Sequence, residues 1–202
     1  MDLENKNRED IIKPLKKAYK LEPMRGLDLN LRSFGISKTG ELFKHLYSWK
    51  ILSFQHDAYI TSLRNSYVTE VINSNYTFET KNISGRYLGI LIETAQPIPD
   101  FTIRPSFLAD KISNLILRYD IKIEGFPKFN KNYILSSEAP LSAFEKILTK
   151  HFLTKVEGLQ NFYLEMKDSR IFMKFENEMS SSNAIELMAI GELIDKNIKN
   201  ST

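Results

Sequence analysis

An α+β fold built on antiparallel strands is predicted for this chain by three observations. Between Glu41 and Glu93, short runs rich in β-branched and aromatic residues alternate with polar ones. Beyond Pro105, helical stripes and strand-like runs follow each other. Five of the seven prolines fall between Pro97 and Pro140 and punctuate that change. The expected units are 1–40, an N-terminal helix and loop; 41–96, β-rich; and 97–202, α+β with three helices. Together they form one compact domain, as 202 residues allow.

In order, Arg8–Leu21 has Ile11, Ile12, Leu15, Tyr19 and Leu21 near helical spacing, with Lys13, Lys16, Lys17 and Lys20 on the other face. Pro14 requires the helix to begin near it or kink there. Glu22–Gly40 reads as loop. Its FGISKTG places Lys38 and Thr39 before Gly40, so it is a turn and not a phosphate loop, which needs Lys and Ser/Thr after the second glycine. Strands are expected at Trp49–Phe54, Ala58–Leu63, Tyr67–Ile72, Tyr76–Thr80 and Tyr87–Glu93. The last two form a hairpin through Asn82, Ser84 and Gly85. YLGILIE is apolar on both faces, as a central strand is, and Gly89 within it marks a bulge or a close approach.

In the second half, Pro105–Arg118 is expected to be a helix and Tyr119–Glu124, which alternates strictly, a half-buried strand ended by Gly125 and Pro127. Tyr133–Leu135 is extended. A helix to Val156 buries Leu141, Phe144, Leu148, Phe152 and Val156. Phe162–Met166 and Ile171–Phe175 make a hairpin around Lys167, Asp168 and Ser169. The final helix starts near Asn183, with Glu186 completing a capping box, or is capped from Ser180–Ser182.

From Asp100 onward, the order of signals resembles an uncharacterised bacterial domain family with a Pro-Asp-Phe-x-(Ile/Leu)-Arg-Pro segment and an aromatic Pro-x-Phe knot. The matching residues are Pro99, Asp100, Phe101, Ile103, Arg104 and Pro105, then Pro127, Phe129, Tyr133 and Leu135. The likeness covers about the C-terminal half. It implies a fold and no activity. Many relatives carry membrane helices before this domain, whereas no run here reaches the roughly 18–20 apolar residues a membrane helix needs.

Composition excludes several chemistries. With no cysteine, there are no disulfides, thiolate zinc sites, iron–sulfur clusters or cysteine nucleophiles. The N-terminus lacks a secretory pattern, so a cytoplasmic protein is expected. A net charge of +3, with lysines mixed among acids, gives no reason to expect nucleic acid. Peripheral contact with a membrane through the N-terminal lysines is the lesser alternative.

His45, His56 and His151 lack metal-ligand spacing, and His56–Asp57 point to opposite sides of a strand. Asp120 and Glu124 would lie about 13 Å apart on one strand; they, Glu165 and Glu176 read as solvated. G-x-S-x-G and S-x-x-K are absent, and no cofactor is expected. The candidate binding residues are Arg104, Phe126, Phe129 and Tyr133. Arg104 locks the proline-rich turn through Asp100 or loop carbonyls, or else holds an anion at a helix start. The three aromatics pack a core or form an exposed partner site. The reading is a non-enzymatic protein-interaction domain of the adaptor, assembly or immunity type, binding a protein partner or itself through hairpin edges and aromatics. The alternative is an enzyme or small-ligand site in a cleft between the β-rich and α+β halves, converging on Arg104, Tyr119 or His56.

Overall fold

The computed structural model describes residues 3–27, 29–34, 42–72, 78–95, 98–107, 120–175 and 180–199. Its centre is one eight-stranded, wholly antiparallel sheet. The strands are β1 (Leu21–Met24), β2 (Leu42–Ile51), β3 (Asp57–Ile72), β4 (Phe78–Glu93), β5 (Phe101–Pro105), β6 (Tyr133–Ser137), β7 (Phe162–Lys167) and β8 (Arg170–Phe175), in the order β1-β2-β3-β4-β8-β7-β5-β6. Among the described residues the α-helices are α1 (Leu3–Ala18), α2 (Pro127–Asn132), α3 (Lys150–Glu157) and α4 (Ser181–Lys199). The α+β class is as expected, and the β-rich and α+β halves share one sheet.

Period-two alternation assigns the two faces. Ala58 and Ile60, Leu88, Ile90 and Ile92, Ile171 and Met173, Leu164 and Met166 belong to the main core, together with Leu15, Phe152, Leu187 and Ile190 from the helices. On the opposite face Leu63, Leu91, Tyr163 and Phe172 form a smaller cluster closed by Leu29 and Phe34. Gly89 belongs to this second face, where a Cβ would stand 2.6 Å from the Phe172 ring. The close approach expected there is real.

Several boundaries differ from expectation, each for a local reason. The helix begins at Leu3, runs through Pro14, and stops at Ala18, because Leu21–Met24 is taken up as an edge strand against β2. Ala58–Leu63 and Tyr67–Ile72 are one 16-residue strand. Asn82, Ser84 and Gly85 do not form a hairpin turn: they lie inside β4, paired with Val68, Ser66 and Asn65. Ladder hydrogen bonding along two long partners overrides their turn propensity. Phe101–Pro105, read as a turn, is a strand with alternating burial. Of the strand expected over Tyr119–Glu124, the described residues 120–124 form no ladder. Ile123 is bonded at both its N–H (2.9 Å) and its carbonyl (2.7 Å) by the Asn130 side-chain amide, and Ile121 N–H donates to the Leu135 carbonyl. The alternation there records the burial of Ile123 between exposed Lys122 and Glu124, not a ladder, and Asp120, read as solvated, has a side chain only 4% exposed.

Pro140–Val156 is a 3-10 turn (Leu141–Ala143), further turns, and then α3, which Thr149 caps by accepting from Phe152 N–H. Of the expected stripe, Phe144, Leu148, Phe152 and Val156 are buried all the same, and Leu141 is half-buried. The β7–β8 hairpin matches expectation, with Asp168 and Ser169 at φ 49° and 63° in a two-residue turn. Ser180 Oγ caps α4 by accepting from Asn183 N–H, so the cap lies three residues before Asn183. The FGISKTG turn, beyond Phe34, and the helix expected over 105–118, beyond Phe107, fall outside the described residues.

Phe144 is fully buried, with its ring centroid 4.9 Å from that of Phe101 on β5. Phe144→Ala should cost about 3–5 kcal/mol in a denaturant titration; a loss under about 1 kcal/mol would mean that this stripe does not hold the helices to the sheet.

Candidate binding groove

The four residues singled out from sequence are not gathered into a site. Arg104 is half-buried on β5, facing away from the helices, because its neighbours Ile103 and Pro105 fill the main-core face. Its guanidinium donates to the Pro105 carbonyl at 3.4 Å. Asp100 is engaged elsewhere: a side-chain oxygen accepts from Asp168 N–H and its carbonyl from the Ser137 hydroxyl. Phe129 and Tyr133 are core residues with ring centroids 5.4 Å apart, and Phe126, the residue preceding α2, is half-buried against the same core. The Tyr133 hydroxyl donates to the Leu159 carbonyl at 2.9 Å. His56 lies before β3, four strands from β5, and on the helix-covered side. It does not converge with Arg104, and Tyr119 is outside the described residues. Where the halves meet there is a ladder, Gly89–Glu93 of β4 against β8.

Two arrangements escaped the sequence reading. Asp195, on the buried face of α4, is 2% exposed. It accepts from Gln55 N–H (2.8 Å), His56 N–H (3.0 Å) and His56 Nδ1 (2.8 Å). A carboxylate on Nδ1 can orient a histidine base, but among the described residues no hydroxyl is hydrogen-bonded to this ring. What the geometry performs is a staple from the β2–β3 turn to α4. Its signal was a charge in the buried register of Ala184, Met188 and Gly191. Glu165, read as solvated, is buried and accepts from the Tyr163 hydroxyl at 2.7 Å. Nearby, the buried Lys174 ammonium lies 4.7 Å from the Tyr87 ring centroid.

The concavity with a distinct chemistry lies at the other edge of the sheet. A groove of about 750 Å³ opens between α1, β1 and β2. Ile12, Pro23, Met24 and Trp49 supply its apolar lining, and Lys13, Lys16, Lys17 and Arg25 its charges. Positions 13, 16 and 17 share one helix face within about 6 Å of rise. Pro23 stands opposite Trp49 in the β1–β2 register, and the Tyr47 ring, 42% exposed, lies 6.4 Å from Trp49. No carboxylate is among the described lining residues, and among the side chains from Ile11 onward that the structure describes the four cations form no ion pair. Lysines expected to be simply solvated thus wall an apolar concavity. The missing signal was β1, which brings Pro23–Arg25 beside them. Among the described residues no cluster of three metal-ligating side chains occurs, and no helix is long and apolar enough to cross a membrane.

No family model, curated protein or solved structure matches this chain.

Asp195→Ala strands two backbone N–H donors and should lower stability by about 1–3 kcal/mol; His56→Ala, which removes one of the three bonds, should cost less in the same urea titration. Burial pushes the Tyr133 phenol up to about 12. The raised value means that folding favours the neutral phenol. Its contribution is whole below the ordinary value of 10.0 and is lost as the pH climbs through about 12. Urea midpoints should therefore fall over that alkaline range, and less steeply for Tyr133→Phe.

Proposed function

We propose that this is a non-enzymatic, cytoplasmic binding protein that holds another protein chain in the groove between α1, β1 and β2. The observation that carries this reading is the apolar lining bordered by four cations, with no carboxylate among the described lining residues. An apolar centre with a charged margin is the usual anatomy of a protein-binding patch. Its volume suits a few side chains of a partner, not a whole domain face. Adaptor, assembly and immunity-type roles all fit this kind of surface.

The test is site-specific photo-cross-linking in the cells that make the protein. A photoreactive residue at Tyr47, beside the groove, should give one dominant protein adduct that Met24→Arg abolishes. The same residue at Phe107, 58% exposed and at the far end of the sheet order, should not give it. Equal adducts from both positions, or none from Tyr47, would refute the assignment. An adduct between two copies would make the partner a second copy of this chain.

A further inference from the structure

We infer that the groove takes a short, carboxylate-rich segment anchored by an apolar side chain. This rests on the groove being the binding site and specifies the chemistry of its occupant.

Charge complementarity comes first. Lys13 stands three and four positions from Lys16 and Lys17, so like charges neighbour each other on the helix face. Arg25, from the chain leaving β1, adds a fourth. That arrangement carries repulsion which a negatively charged ligand relieves. Glu9 and Asp10 precede Lys13 in the sequence, but from Lys13 to the end of the helix at Ala18 no acid is interleaved with the lysines.

The lining then narrows the class of anion. Pro23 and Met24 offer accessible hydrocarbon over the nearly buried Ile12 and Trp49, and methionine adapts its shape to varied partners. A bare phosphate or sugar acid would leave that surface unused. A single nucleic-acid strand stacks successive bases on exposed rings. Here Tyr47 is exposed, but Trp49 is only 6% exposed. A membrane surface would need the apolar side of α1, and Ile11, Ile12 and Leu15 of that side are buried in the core. Nor does the edge favour an added strand. A proline within a sheet turns its nitrogen to solvent, so Pro23 breaks the outer row of donors. Side chains rather than a β-ladder do the gripping.

The one tryptophan of the chain lies in this groove, so intrinsic fluorescence reports on the site directly. The full-length protein should be used to select binders from a displayed library of random 12-residue peptides. The selected sequences should be rich in Asp and Glu and carry at least one Leu, Ile, Phe or Met. Synthetic copies should shift the Trp49 emission. Their affinity should fall about tenfold or more when salt is raised from 50 to 500 mM or in Lys13→Glu/Lys17→Glu. Both lysines are exposed, so the variant's unfolding midpoint should stay unchanged and confirm that it folds.

Selected peptides that shift Trp49 but are neutral or basic would overturn this inference and leave the groove standing. Acidic peptides that bind the doubly reversed variant equally well, or no selected peptides at all, would overturn both. Tighter binding of an oligothymidylate or of phosphatidylserine-containing vesicles than of the peptides, at equal salt, would overturn the protein segment in favour of that polyanion.

Discussion

The ladder between β4 and β8 is the junction on which the rest of the structure depends. Five residues, Gly89–Glu93, pair with Arg170–Lys174 and turn two runs of strands into a single sheet. β4 serves both faces at once. Leu88, Ile90 and Ile92 enter the main core, while Leu91 joins the second cluster. Gly89 has to be small for this to work, because the fully buried Phe172 ring occupies the space of its side chain. A second glycine does the same on the helical side. Gly191 of α4 lies against Phe54 and Ile90, where a Cβ would meet ring and methyl carbons at 3.2–3.3 Å. Close packing thus begins at two absent side chains, one on each side of β4.

From that junction the sheet extends to an edge at β1, and the edge shapes the groove. α1 contributes Ile11, Ile12 and Leu15 to the core and also packs against α4. With its apolar side fixed in this way, Lys13, Lys16 and Lys17 are held to one side of the helix beside β1 and β2. Leu52 N–H donates to the Lys20 carbonyl, which ties the segment after α1 to the end of β2. Core packing therefore fixes which face of α1 meets this edge, and does not require that lysines occupy it.

Periodicity was legible in the sequence wherever burial alone set it. Phe144, Leu148, Phe152 and Val156 were read as one stripe and are buried together, although the backbone beneath them is only partly helical. Ile121 and Ile123 alternate with exposed Lys122 and Glu124 without forming a strand. In both cases the pattern reports which side chains leave water, and several backbone shapes satisfy it. Turn chemistry was legible when it was decisive, as at Asp168–Ser169. It misled at Asn82–Gly85, where pairing across two 16-residue strands prevails. The groove was half legible. The lysine face was plain, but Pro23–Arg25 was read as loop, because a four-residue strand with a proline has no pattern of its own. Asp195 and His56 lie 139 positions apart, and only the fold brings them together.

The treatment of charge separates the structural parts from the functional one. Asp195 is buried and takes three hydrogen bonds. Glu165 is buried and accepts a tyrosine hydroxyl. Lys174 is buried with its ammonium against an aromatic face. Each of these charges is matched from within, as burial demands. Lys13, Lys16, Lys17 and Arg25 follow the opposite rule: all four line one concavity and meet no carboxylate among the described residues that line it. Exposed lysines need no partner for the fold to stand, so stability alone does not account for their gathering around an apolar lining. A ligand that brings both negative charge and hydrocarbon to that edge does account for it, since it would supply the kind of match that the fold gives Asp195, Glu165 and Lys174.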